Sequence, residues 1–308
     1  MQQKKKGFFF QLYKYRIFLL MLLPAVIYTL IFSYYPMTGI IMAFKKYNYA
    51  DGIFGSPWCG FDNFKFFFKS GQAAMVTRNT VLYNLAFIAI NTIFQIAVAI
   101  FLTEIKGKKF RKISQSMMFL PYFISWVIVG VMAFNIFSSD YGFLNKMITA
   151  MGGEKIAFYT TPKVWPWILM FFNLWKNIGY GSVMYLAALM GIDTSIYEAA
   201  QIDGANVFQR IRYVTIPMIM PTTIILLLLS IGGIFRGNFD MFYNLTGNNG
   251  LLYNYTDVID TLSFRALISS NNFGMAAAIG LFQSVLCFIT VLAVNKMVAR
   301  YDKDYSLF

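Results

Sequence analysis

Six runs of apolar residues, separated by polar segments, set the layout of this chain. They extend over about residues 17–35, 80–102, 117–137, 165–189, 216–235 and 275–298. Each is roughly 20 residues long, enough for a helix rising about 1.5 Å per residue to cross a hydrocarbon layer about 30 Å thick. The period-two alternation of a membrane β-barrel is absent. A helix satisfies its own backbone where no water is available. The pattern predicts an all-α integral membrane protein, six transmembrane helices in a single domain over residues 1–308. The first run is longer than the apolar core of a secretory signal. It is followed by Ser33-Tyr34-Tyr35-Pro36 with no small-residue cleavage site, and is read as a retained first span.

Polar residues inside these runs need a cavity or a partner helix. Asn84, Asn91 and Gln95 of the second run, at steps of seven and four, share one helix face and are assigned to packing between helices. The fourth run carries Asn173, Trp175, Lys176, Asn177 and Tyr180, and Gln283 lies in the sixth. Arg236 and Asp240 follow the fifth. Hydrogen-bonding groups and aromatic faces can hold a polar substrate, so Asn173, Trp175, Lys176, Tyr180, Arg236, Asp240 and Gln283 form the candidate substrate pathway. For Lys176, contact with substrate and structural pairing are equally open, with Asp240 as a candidate partner.

Composition supports the membrane reading. Hydrophobic residues make up 58% of the chain and charged residues 13%, against about 25% charged in a soluble domain. Such a chain cannot cover itself with polar surface. The net charge of +13 follows from orientation rather than from binding nucleic acid. With the N-terminus inside, fifteen lysines and arginines fall on inner segments and ten on much longer outer loops, with Lys176 within a span. Lys106-Gly-Lys-Lys-Phe-Arg-Lys112 is the densest cluster, and the N-tail adds Lys4, Lys5 and Lys6 and the C-tail Lys303. Both termini are therefore expected on the cytoplasmic side. The chain has no histidine, and its two cysteines, Cys59 and Cys287, fall in different environments. That argues against histidine acid–base catalysis and a zinc site. The outer loop 36–79 holds Gly55, Pro57, Trp58 and Gly60 and is expected to be ordered.

The inner segment 191–215 has its own logic. Ser195-x-x-Glu198 reads as a capping box that starts a helix, and Asn206-x-x-Gln209 as a second. Gly204 between them can adopt a left-handed backbone and end the first helix. Pro217 and Pro221 mark the start of the fifth span. Two short helices with a bend follow, offering a face to a partner.

Glu198-Ala199-Ala200, then Asp203-Gly204-Ala205, then Val214-Thr215-Ile216-Pro217 resembles the EAA motif of ATP-binding-cassette importer permeases, with Val214 and Ile216 replacing the usual aliphatics. Leu174-Trp175-Lys176-Asn177-Ile178-Gly179-Tyr180, Phe239-Asp240, Asp257-Val258-Ile259-Asp260-Thr261 with Arg265, and Ala276 to Ser284 are similar to the carbohydrate branch that handles oligosaccharides and polysaccharide fragments. The resemblance implies a coupling helix pair between spans four and five that docks on an ATP-hydrolysing subunit. Glu198, Ala199, Ala200, Asp203, Gly204 and Pro217 would carry that coupling. It implies a bacterial cytoplasmic-membrane permease paired with a second, homologous permease. Two ATPase chains would use ATP and magnesium, and an extracytoplasmic lipoprotein would deliver the oligosaccharide. This chain itself has no Gly-x-x-x-x-Gly-Lys-Ser/Thr loop and is expected to bind no cofactor. The rival readings are a membrane enzyme acting on lipid-linked sugars, with Asp240, Asp257 and Asp260 as its acids, and a peptide or amino-acid importer of the same architecture. Asp257 and Asp260 are close enough to share a helical face.

Overall fold

All six apolar runs become helical in the computed structural model, which describes residues 13–105 and 107–301. The orienting residues Lys4, Lys5, Lys6, Lys106 and Lys303, and both chain termini, lie outside the described residues. In chain order the helices are α1 (Arg16–Phe44), α2 (Asp62–Lys69), α3 (Gln72–Glu104), α4 (Lys108–Phe123), α5 (Trp126–Phe137) and α6 (Phe143–Ala150). They continue as α7 (Trp165–Met190), α8 (Thr194–Ile202), α9 (Val207–Gly232), α10 (Phe239–Thr246), α11 (Ile259–Ile268) and α12 (Phe273–Tyr301). No strand occurs among the described residues, only an isolated bridge between Lys45 and Trp58.

Four of these helices, α1, α3, α9 and α12, are long and apolar enough to cross a membrane alone, and α4 with α5 makes a fifth if the pair is one span. Helix α7 has the length, 26 residues, but Asn173, Lys176, Asn177 and Ser182 dilute its apolar character. The third run, expected as one straight span over 117–137, is instead bent by 95° between α4 and α5. Pro121 opens a tight 3-10 turn at the end of α4, and Ser125 then caps α5, its Oγ accepting from the Ile128 N–H at 3.4 Å.

Proline also corrects the fifth span. Pro217 does not begin that helix, because α9 already runs from Val207. A π-helical turn at Ile211–Thr215 directly precedes Pro217. The wider turn accommodates a residue that has no N–H to give and whose ring would crowd the preceding carbonyl. Helix α1 repeats the device, with a π turn at Leu30–Tyr34 ahead of Pro36.

The bundle is organised around α3 and α7, which make its most extensive contact. Ala99 and Leu102 of α3 meet Tyr185, Leu186 and Leu189 of α7 and Ile219 of α9 at one end. Tyr83 and Phe87 meet Trp165, Leu169 and Phe172, together with Phe242 of α10, toward the other. Helix α12 packs on α9, α11, α2 and the last turns of α1. The Arg16–Thr29 part of α1 buries none of its residues in this chain, leaving its apolar surface for lipid or another subunit. The 36–79 segment is ordered as expected, its turns tied by Asn63 Nδ2, which donates to the Ala43 and Lys45 carbonyls, both at 3.0 Å.

Close approach of α7 to α4 depends on Gly179, where a Cβ would lie 1.9 Å from the Met118 carbonyl oxygen. Gly179→Val should therefore force the helices apart. Overpacking of this kind costs about 1–3 kcal/mol, and the unfolding midpoint of the detergent-solubilised protein should drop by several degrees. An unchanged midpoint would show that the backbones do not meet there.

Candidate functional site

A cavity of about 810 Å³ opens between α3, α7 and α9, with the segment leading into α10 at one end. Its wall sets amide side chains among apolar residues such as Phe87, Ile88 and Met184. Asn84, Asn91 and Gln95 come from α3, and Asn173, Asn177 and Tyr180 from α7. The α9 wall is mixed, with Leu226, Leu229 and Ser230, while Arg236, Asn238 and Asp240 line the end. The α3 spacing of seven and four places its three amides in one line along the helix. They also bond across the helix contact. Asn91 Nδ2 donates to Asn173 Oδ1 at 2.7 Å, and Gln95 Nε2 donates to the Asn177 carbonyl at 3.1 Å. Asn84 Nδ2 donates to the Ile234 and Arg236 carbonyls at 2.8 and 3.0 Å, tying the segment after α9 to α3. The Asn91 Oδ1 is buried without a hydrogen-bond partner among the described residues. A buried acceptor of that kind is unusual.

Of the pathway residues expected from sequence, Asn173, Tyr180, Arg236 and Asp240 line this cavity, and Trp175, Lys176 and Gln283 do not. Trp175 packs edge-on against Phe172, ring centroids 6.1 Å apart. Lys176, 7% exposed, turns toward the break between α4 and α5. It donates to the Pro121 carbonyl at 3.2 Å, the Tyr122 carbonyl at 2.8 Å and the Ile124 carbonyl. Its partners are thus carbonyls rather than the Asp240 carboxylate. Gln283 Nε2 donates to the Phe235 carbonyl at 2.8 Å and to Asp260 Oδ2 at 2.9 Å. The second-run amides assigned to packing do pack, and they line the cavity as well. Their shared face was the visible signal. The α9 contribution from Leu226, Leu229 and Ser230 had no sequence signal, because nothing distinguishes those positions within an apolar run.

Asp240, Asp257 and Asp260 do not form a shared site. Asp257 lies before α11 in extended backbone, so it and Asp260 are not on one helical face as their spacing had suggested. Asp257 is 2% exposed and holds Arg265 through bonds of 2.9 and 2.5 Å, with Arg265 lying 4.0 Å over the Tyr253 ring. Asp260 Oδ2 accepts from the Gly237 N–H at 2.5 Å and from Gln283. Burial pushes the Asp260 carboxyl above the usual carboxylate range, against the pull of these donors and of the Arg236 charge. Together Asp260, Gln283 and Asn84 hold the 234–237 segment that closes one end of the cavity.

At the other end of the bundle, α8 and the start of α9 form two helices with a bend. The cap of α8 is Asp193, which accepts from the Ser195 N–H at 3.0 Å, and not the Ser195–Glu198 box. The reason is position: the helix already starts at Thr194, so Ser195 lies inside its first turn. The same N–H holds the Asp193 carboxyl below the usual carboxylate range. The second box is present in full, Asn206 Oδ1 accepting from the Gln209 N–H and Gln209 Oε1 from the Asn206 N–H. Gly204 has φ +80°, and the Ala205 N–H donates to the Ala200 carbonyl at 2.9 Å. This is a left-handed helix ending that favours glycine. Glu198, Ala199, Asp203, Gly204 and Pro217 are exposed and Ala200 half-buried. Ile202 and Phe208 are 86% and 83% exposed on either side of the bend, and Tyr197 Oη bonds Thr215 Oγ1 at 3.2 Å, joining α8 to α9.

Comparison with known proteins gives a consistent outcome. The family described as binding-protein-dependent transport system inner membrane component matches residues 95–303. Protein LplB of Bacillus subtilis (strain 168) is 33% identical over 285 residues, covering 92% of this chain and 89% of that protein. The polygalacturonan/rhamnogalacturonan transport system permease protein YteP of the same organism is 30% identical over 303 residues, covering 98% and 94%. Among solved structures, a chain of a bacterial alginate ABC transporter, crystallised in complex with an alginate pentasaccharide-bound periplasmic protein, superposes with a TM-score of 0.87 at 33% identity. The match covers 97% of this chain and 99% of that one.

Asp260 offers a pH-dependent check on the cavity's closed end. A carboxyl raised by burial is bound more tightly to its proton in the folded state. Its ionisation therefore removes stability as pH rises from the unfolded value, about 4, through the folded one. Asp260→Asn keeps an acceptor and removes the ionisation. Its unfolding midpoint should exceed that of the wild type by a margin that grows as pH is raised toward neutral. A margin independent of pH would mean that the carboxyl is not desolvated in that site.

Proposed function

The chain belongs to the family of binding-protein-dependent transport system inner membrane components, and on that premise we propose that it is one of two permease subunits of an importer for oligosaccharides. The observation that carries the proposal is the amide-lined cavity between α3, α7 and α9. Its wall offers donors and acceptors in both directions and an aromatic edge at Tyr180, with one cation, Arg236, and one carboxylate, Asp240, at the end. Hydroxyl-rich substrates need such a wall. The names of the similar proteins, which concern polygalacturonan, rhamnogalacturonan and alginate, point to the same substrate class.

In this reading α1, α3, the broken α4–α5 pair, α7, α9 and α12 are the six spans. Both termini and the 191–215 segment face the cytoplasm, as the basic residues dictate. The chain is not an enzyme; ATP hydrolysis lies in partner subunits, which use ATP and magnesium. The tip formed by α8, Gly204 and Val207–Arg210, with Glu198, Ala199, Ala200 and Asp203 along its first helix, docks on one ATPase. Pro217 lies within α9, between the tip and the turns that line the cavity, so displacement of the tip is carried into the substrate path by a continuous helix. A second permease supplies the facing half of the path, and an extracytoplasmic lipoprotein delivers the sugar from the side of Arg236 and Asp240. Alternating access then opens the cavity to one side at a time.

Affinity purification of the tagged chain in mild detergent should bring down a second permease and a P-loop ATPase, identified by mass spectrometry. Gly204→Val should keep membrane insertion while reducing ATPase recovery and oligosaccharide uptake by about tenfold or more, since a β-branched residue strains at φ +80°. Open space around Gly204 means that the strain is conformational, not steric, so Gly204→Asn should be far milder. Uptake by Gly204→Val at the wild-type level would remove the coupling role from this bend.

A further inference from the structure

The break between α4 and α5 poses a problem that the transport reading does not address. A helix that ends inside an apolar layer exposes its last carbonyls where water is absent, and each lone polar group there is unfavourable. Lys176 of α7 meets that need. Its ammonium reaches the carbonyls of Pro121, Tyr122 and Ile124, one after another along the turn. It lies 5.8 Å from the Tyr122 ring centre and 5.2 Å from that of Trp126, the first residue of α5. No carboxylate bonds to it among the described residues. The charge is therefore held by backbone dipoles and ring faces alone, on both sides of a 95° bend.

The consequences reach beyond the bend. Helix α5 leaves it to pack on α10, and the two meet at Gly130, where a Cβ would lie 2.6 Å from the Asn244 carbonyl oxygen. That contact leaves α10 little freedom to slide on α5. The first turn of α10 carries Phe239 and Asp240, which line the end of the cavity, while the wall beside it belongs to α7, the helix that bears Lys176.

We infer that Lys176 is a positioning residue for translocation, which fixes the α4–α5 bend to α7 so that α5, α10 and the α7 wall of the cavity move as one body. This rests on the transport reading for its purpose but not for its geometry. Lys176 does not line the cavity, so its effect passes through the bend and not through contact with sugar.

The test uses the complex purified with its partners, in a background where Cys59 and Cys287 are replaced by serine and alanine. Spin labels are placed at Val131→Cys on α5 and Met184→Cys on α7, both exposed positions. In the wild type the label-to-label distance should show one narrow population, retained after trapping with ATP, magnesium and vanadate. Lys176→Met should lose that single population in favour of a broad or divided one, and Lys176→Arg, which keeps a cation at the carbonyls, should restore it. If Lys176→Met fails to assemble, Lys176→Gln, neutral but still a donor, is read in the same way. A single unchanged population in the assembled Met or Gln variant overturns the inference. So does failure of both to assemble while Arg assembles, since Lys176 would then serve folding alone. If no ATPase co-purifies with the chain, the transport reading fails, while the nucleotide-free distances still decide the role of Lys176.

Discussion

Where α3 lies along α7, two membrane-length helices exchange hydrogen bonds between amides at two levels, Asn91 to Asn173 and Gln95 to the Asn177 carbonyl, and the other elements are placed from that contact. An amide inside an apolar layer has few alternatives to the partner it finds, which makes such bonds strong determinants of register. Phe87 and Trp165 belong to the apolar cluster at one end of the contact, and Leu102 and Leu189 to the one at the other. The same amides that set the register line the cavity, so the path for a polar substrate is a by-product of how the two helices recognise each other. Helix α9 completes the wall with a less polar surface. That asymmetry suits a helix whose other task is to connect the cavity to the tip at Gly204.

Two places show how a membrane protein manages irregular backbone. At the α4–α5 bend a lysine supplies donors to three carbonyls. After α9, Asn84 donates to two carbonyls while Asp260 accepts from the Gly237 N–H. In each case a side chain from a neighbouring helix replaces the missing backbone partner and fixes the irregular segment. The π turns ahead of Pro36 and Pro217 follow the same logic within a helix, widening the ladder where a proline would otherwise break it. Continuity of α9 through Pro217 matters most, because a true break there would separate the tip from the cavity.

Much of the surface that remains apolar is surface this chain cannot bury by itself. The Arg16–Thr29 part of α1 has no buried residue, and Ile202 and Phe208 stand out at the tip. Membership of a family of membrane transport components accounts for the pattern in kind, and in the proposed function lipid, a second permease and an ATPase each need a face. Tyr197 and Thr215 brace the tip from behind, so its shape is set before any partner arrives.

Helical type, the interrupted 191–215 segment and its glycine bend were legible in the sequence, because apolar run length, capping pairs and a lone glycine act over a few residues. The Asn206–Gln209 box and the left-handed Gly204 are local in that sense, and so was the line of amides on α3. Even so, local reading misplaced the cap of α8 by two residues and took Pro217 for a helix start, since a competing Asp193 and a π turn are decided by backbone geometry, not residue identity. What only the tertiary structure decided is where each polar side chain points. Lys176 and Asn173 are three residues apart on one helix, yet one serves a backbone break and the other a cavity, and Gln283 serves Asp260. The sequence determined that these groups must find partners away from water. Which partner each found depended on helices brought together from 23 to 82 residues away, information that no local pattern carries.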